Sequence, residues 1–214
     1  MFGAVGHDNL TGLINAPKTS SSPAGWFSTH DGVHHVVYRS SNGHLRELWW
    51  QRQGGVGHGD LTTQANAVSA AGDPWPYYDP VRSINIDTHR VVYRAENGHL
   101  HELVWPTVAP VTGRDLTALS GAPPAADNVS GGYNPGYNSQ HVIFRSGDGR
   151  LHELWHFLGE TAVHHVDLIA AYAVPDPADR LYPMPALALL TSTSSTAERT
   201  GISMNCSGED VDNG

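Results

Sequence analysis

Charge of either sign is scarce in this chain. Only 15% of its 214 residues are charged, and 12 basic residues trail 21 acidic ones. A net charge of −9 argues against a groove that tracks phosphates, because nucleic-acid binders concentrate positive charge. Fourteen histidines can change that balance below about pH 6. A single cysteine, Cys206, excludes an intrachain disulfide. No run approaches the roughly 18 apolar residues of a membrane-spanning helix. The opening Met1-Phe2-Gly3-Ala4-Val5-Gly6-His7-Asp8 lacks the basic and apolar regions of a secretory signal, which suits a cytoplasmic protein or a part of a larger secreted one. Useful stretches of 3.6-residue periodicity are missing, so long helices are not expected. Gly-x-Ser-x-Gly, P-loop and His-Glu-x-x-His signatures are missing too, and no enzyme is expected.

What the chain does have is one segment written three times. His35-Val36-Val37-Tyr38-Arg39-Ser40-Ser41-Asn42-Gly43-His44-Leu45-Arg46-Glu47-Leu48-Trp49-Trp50 returns at Arg90–Trp105 and at His141–His156. Such self-similarity at a period of about fifty residues marks an array of one supersecondary unit. Two β-rich runs flank Asn42-Gly43, Asn97-Gly98 or Asp148-Gly149, the strongest short hairpin signal, and a type I′ turn is expected there. Asp60-Leu61-Thr62, Asp115-Leu116-Thr117 and Asp167-Leu168-Ile169 then read as a further, outer strand. An Ala/Gly/Pro loop leads to Trp75, Tyr77 and Tyr78, or to Tyr133 and Tyr137, which read as an inner strand before the next copy.

Four short strands per unit predict an all-β fold, a β-propeller of four-stranded blades near residues 26–62, 75–117 and 133–169. The array spans 1–182 with partial repeats at both ends. Asn9-Leu10-Thr11 reads as an orphan outer strand, and Ala173-Val174 to Tyr182 open a fourth unit that stops. Residues 183–214 read as a disordered tail of a truncated or frame-shifted array. Three full blades do not close a ring, so the chain is expected to form a homodimer that completes one.

Polar positions recur in every copy. Glu47, Glu102 and Glu153 follow the turn, Arg39, Arg94 and Arg145 precede it, and His35, Arg90 and His141 stand 12 residues before each glutamate. The Arg39 set suits a loop anchor. The Glu47 set with its basic partners suits either an inter-blade ion pair or hydrogen bonding to vicinal sugar hydroxyls. A site copied once per blade favours multivalent binding over catalysis. His34-His35, His99 with His101, and His164-His165 invite a metal. Yet Arg46 stands where the second copy has His101, and Arg150 where it has His99, so neither a metal nor a cofactor is expected.

The order of strand, Asn/Asp-Gly turn, Leu-Arg/His-Glu-Leu/Val-Trp and closing Asp-Leu-Thr resembles the blades of fungal fucose-specific lectins and related bacterial propeller lectins, over about residues 8–182. The resemblance implies a sugar held between neighbouring blades by an arginine and a glutamate, with aromatic residues packed on it. The glutamate corresponds to Glu47, Glu102 and Glu153. The arginine corresponds to Arg90, with His35 and His141 in the other copies, a departure that implies pH-sensitive binding. Trp26, Tyr77, Tyr78, Tyr133 and Tyr137 are the candidate aromatic walls, Tyr78 and Tyr137 being the ones assigned to the site. A carbohydrate-binding module is the resulting expectation. A non-catalytic protein-interaction scaffold and a remnant of a propeller glycosidase are the alternatives.

Overall fold

A computed structural model describes residues 7–29, 32–52, 54–81, 86–106 and 109–172. All of them fall within one unit, Met1–Leu181; the expected tail at 183–214 and the expected fourth unit from Ala173 lie outside the described residues. Three four-stranded antiparallel sheets run in chain order. The first holds β1 (Ala24–Ser28), β2 (Val33–Arg39), β3 (Leu45–Trp50) and β4 (Val56–Asp60). The second holds β5 (Trp75–Val81), β6 (Ile86–Arg94), β7 (Leu100–Pro106) and β8 (Thr112–Asp115). In the third are β9 (Ser130–Asn134), β10 (Ser139–Arg145), β11 (Leu151–Phe157) and β12 (His164–Asp167). These are the blades of a partial β-propeller. Inner strand β5 lies beside both β1 and β9, and the Trp75 indole N–H donates to the Gly131 carbonyl at 2.9 Å.

Side chains alternate between the two faces of each sheet, and neighbouring sheets cover both faces of the second. Val37 and Leu45 of the first sheet pack on Val91, Tyr93, Leu103 and Trp105 of the second. Val92 and Leu100, on the second sheet's other face, pack on Val142, Phe144 and Leu154 of the third. Leu45 packs against the second sheet and Leu48, on the opposite face, packs with Leu10, Ile14 and Ala16, so Leu45–Trp50 does not alternate cleanly with polar residues.

Two local expectations are corrected. The Asp-Leu-Thr segments are not strands beyond the aspartate. Asp60 ends β4, and Leu61 opens a single helical turn, α2 (Leu61–Gln64); α3 (Leu116–Ser120) and α4 (Leu168–Tyr172) follow the same plan. Each aspartate accepts a backbone N–H three residues on, Asp60 from Thr63 at 3.0 Å, Asp115 from Ala118 at 2.8 Å and Asp167 from Ala170 at 2.9 Å. Asn9-Leu10-Thr11 likewise begins a helix, α1 (Leu10–Leu13), capped by Asn9, whose Leu10 and Ile14 pack with Ala16 against Tyr38 and Leu48.

The hairpins are not type I′ either. Gly43 N–H donates to the Ser40 carbonyl and Ser40 N–H to the His44 carbonyl, so three residues form the loop. Only the glycine has positive φ, +79° at Gly43, +81° at Gly98 and +89° at Gly149. This is a type I turn closed by a left-handed glycine. The Asn42 carboxamide oxygen accepts from the Ser40 hydroxyl at 2.8 Å and from His44 N–H at 3.3 Å, which occupies it within the turn. The first two tips also join the next blade: Ala70 N–H donates to the Gly43 carbonyl and Ala125 N–H to the Gly98 carbonyl, both at 2.8 Å.

Candidate functional site

The repeated basic–glutamate pair forms in every blade, but its three copies meet different surroundings. In the first blade His35 and Glu47 lie on the face turned to the second sheet. His35 Nδ1 stands 2.7 Å from Glu47 Oε1, and both side chains are buried. The His35 Nε2 is also buried and has no hydrogen-bond partner among the described residues. Trp26, the cross-strand neighbour of His35, stacks on its ring at 4.9 Å with an interplanar angle of 6°. The Trp26 indole N–H donates to His89 Nδ1 at 3.1 Å, which ties β1 to the second sheet. Between the two sheets lies a cavity of about 520 Å³, lined among others by His35, Glu47, Trp49, Gln51, His89 and Trp105.

Trp49 is the exposed aromatic of this cavity, at 37% relative exposure. Its ring lies over the backbone of β4, where a Cβ on Gly57 would overlap the indole. Glycine there lets the ring lie flat against the strand.

The second copy is sealed. Glu102 has no exposed surface and faces the third sheet. Arg90 Nη1 donates to its Oε2 at 3.3 Å and Arg114 Nε to the same oxygen at 2.6 Å, while the Tyr77 hydroxyl donates to Oε1. Burial pushes the Glu102 carboxyl up, but Arg90, Arg114, the Tyr77 hydroxyl and His156 together hold it below the ordinary value. Burial first, and then the adjacent Glu102 charge, push the Tyr77 phenol well above its usual range. Arg114 Nη2 also donates to His156 Nε2 at 2.6 Å. Desolvation drives His156 down to about 4, and the guanidiniums of Arg114 and Arg90 add to the fall against the pull of Glu102. This closed network of ions holds two blades together and leaves Glu102 no surface for a ligand.

In the third copy His141 Nδ1 meets Glu153 Oε1 at 2.7 Å, and the Ser139 hydroxyl meets His141 Nε2 at 2.8 Å. Both paired side chains are partly exposed, on the face that no described sheet covers. Opposite His141 stands Gly132 rather than an aromatic residue.

Of the aromatic candidates, Trp26 and Tyr77 touch their copy's pair. Tyr133 donates to Asn138 within the β9–β10 turn at 2.7 Å. Tyr137 sits in that turn, 76% exposed, and the Tyr78 side chain lies outside the described residues. Trp49, His89 and Trp105 were not foreseen. Trp49 stands two residues after Glu47 in one strand and so shares its face, a signal present in the sequence. His89 and Trp105 come from the neighbouring blade, so they become visible only when the sheets stack.

Neither a protein-family model nor a curated protein sequence matches this chain. Solved structures do. A fucose lectin from Kordia zhangzhouensis, solved with methyl-fucoside, is 20% identical with a TM-score of 0.50, over 68% of this chain and 97% of that one. The six-bladed β-propeller lectin of Aleuria aurantia is 15% identical with a TM-score of 0.51, over 67% of this chain and 44% of its own. AofleA from Arthrobotrys oligospora is 15% identical with a TM-score of 0.52, over 69% of this chain and 41% of its own. The likeness establishes the propeller fold, and this chain spans less than half of the two fungal proteins.

Proposed function

We propose that this chain binds a saccharide without catalysis, and that the cleft between its first two blades is the site. The observation that carries the reading is the cavity where a buried glutamate–histidine pair, an unmet imidazole nitrogen and an exposed indole converge. Glu47 accepts hydrogen bonds from vicinal hydroxyls, His35 Nε2 exchanges one more, and Trp49 stacks on the apolar face of the ring. The apolar wall of Trp105, Pro110 and Val111 suits a deoxy sugar. The fold likeness to lectins named for fucose makes methyl-fucoside the first ligand to try.

In this reading the three pairs are not equivalent sites. The first is open, the second is structural, and the third, His141 with Glu153, is completed only by a further sheet. A second copy of the chain supplies that sheet. Titration calorimetry with methyl-fucoside, followed by a glycan array, tests the reading. Binding is expected, with Glu47→Gln and Trp49→Ala each weakening it at least tenfold. A folded protein silent on every glycan, or one whose binding survives both substitutions, refutes it.

A further inference from the structure

The outer rim of the second blade carries a group of side chains that sugar binding does not use. His101 in β7 and Asp115 in β8 are direct cross-strand partners, and His99 precedes β7 by one residue. His99 Nδ1 lies 2.7 Å from Asp115 Oδ2, and His101 Nε2 lies 3.7 Å from the same oxygen. One ligand atom from each of the three residues falls within 4.8 Å of the other two. The His101 Nε2 is buried, yet it has no hydrogen-bond partner among the described residues. Its distance from the carboxylate is too long for a hydrogen bond and close to the spacing of two ligands on one tetrahedral ion, about 3.3–3.5 Å for bonds near 2.0–2.1 Å.

The other blades supply an internal control. In the first, Arg46 Nη1 meets Asp60 Oδ2 at 2.9 Å. In the third, Arg150 Nε meets Asp167 Oδ2 at 2.6 Å. Both carboxylates hold a permanent cation. Only the second blade has imidazoles at both positions, so no guanidinium faces Asp115 there. The carboxylate is already oriented for coordination, since its other oxygen accepts the Ala118 N–H at 2.8 Å as the cap of α3. That is the kind of supporting bond a ligating carboxylate needs. A cavity of about 190 Å³, lined by Ala65–Val68 as well as His101 and Asp115, gives space for the water that would fill a fourth position.

We propose that His99 Nδ1, His101 Nε2 and Asp115 Oδ2 bind one divalent ion of the zinc class at the rim of the second blade. Two imidazoles and a carboxylate suit zinc or cobalt over magnesium or calcium, which prefer all-oxygen shells. Because the cavity is also lined by the segment after α2, the ion would join the rims of the first two blades.

The test uses the full chain, stripped with chelator and titrated with zinc chloride or cobalt chloride, with magnesium chloride as control. One equivalent of zinc is expected to bind and to raise the melting temperature, and cobalt is expected to give the intense visible bands of a four-coordinate site. His101→Arg and His99→Arg install the residues that the other blades already carry at these positions, so both should fold. Each is expected to lose that equivalent and the cobalt spectrum while its metal-free melting temperature stays near wild type. Asp115→Asn keeps the cap oxygen and should weaken binding at least tenfold. No bound zinc at micromolar concentration overturns the proposal, and so does an equivalent that persists in both arginine variants. The readout is independent of sugar, so its failure leaves the lectin reading standing, and the reverse.

Discussion

The same two residue types do different work in this chain because burial differs. Glu47, Glu102 and Glu153 occupy one register position, and the repeat made that visible before any coordinates. Burial was not visible, because it depends on which sheet faces each glutamate. Arg114 and His156 close the network around Glu102, and neither belongs to the pattern that singled it out. The Arg90–Glu102 pair was the copy that matched the lectin pattern most fully, and it is the copy with no opening. Its cost shows in the pH dependence of folding. His156 is held neutral: Arg114 donates to its Nε2, and its Nδ1 lies 3.2 Å from the Phe157 carbonyl. Its pKa falls from an ordinary 6.5 to about 4. Between those values the unfolded chain takes up a proton that the folded chain refuses, so stability falls as pH falls through that window. The loss amounts to about 3 kcal/mol at most. Below about pH 4.5 the depressed Glu102 carboxyl adds a loss of the same sign. Melting temperatures should drop between pH 6.5 and 4.5, and His156→Gln should flatten that limb. A variant that follows the wild-type curve would remove His156 as the cause.

The strands were legible as elements because apolar and β-branched residues recur around each Asn/Asp-Gly pair. The helices were not, because a turn of four or five residues is too short for a 3.6-residue period to register. Their caps could have been found: an aspartate or asparagine opens each one, and that is a helix-start signal in its own right. Thr62 and Thr117 then fix the turns to the sheet, each hydroxyl accepting a strand N–H, from Leu45 and Leu100, at 2.9 Å. The hairpin glycines rank by what they touch. A Cβ at Gly43 would stand 2.9 Å from Ser69 Cβ and 3.2 Å from the Ala70 carbonyl, and one at Gly98 would stand 2.9 Å from Pro124. Gly149 has the same backbone twist and nothing within 4 Å among the described residues. Alanine at Gly149 should therefore cost only the left-handed backbone, about 1 kcal/mol. At Gly43 or Gly98 it should cost clearly more, since the next blade's loop must also give way. Chemical denaturation of the three variants ranks them, and equal losses would mean that the tips do not couple neighbouring blades.

At the scale of the whole molecule, the described blades leave two unlike faces uncovered. In the interior the Glu47 face meets the side of the second sheet where His89 and Trp105 stand, and the Glu102 face meets the side of the third where Gln140 and His156 hold the same register positions. The third sheet's face, with His141, Glu153 and Trp155, has no such neighbour among the described residues. The matching face of the first sheet carries Phe27, His34 and Trp50, with Phe27 47% exposed and His34 stacked on Trp50 at 5.1 Å. His34 and Trp50 occupy the register positions of His89 and Trp105. The two faces thus repeat the two halves of an existing interface, and two copies of the three described blades would give six, the number in the Aleuria aurantia lectin. One feature opposes closure. α1 and Ala16 cover Tyr38 and Leu48 on the first sheet, as α2 and Ala70 fill the rim of the first internal interface. In a closed ring the partner's α4 would claim the same place. A dimer formed through these faces should therefore be held back in the intact chain and tighten when residues 1–18 are removed. Trp50→Ala should weaken it in both. Sedimentation at several concentrations reads all three forms. A truncated chain that stays monomeric up to about 100 µM would mean that these faces do not meet.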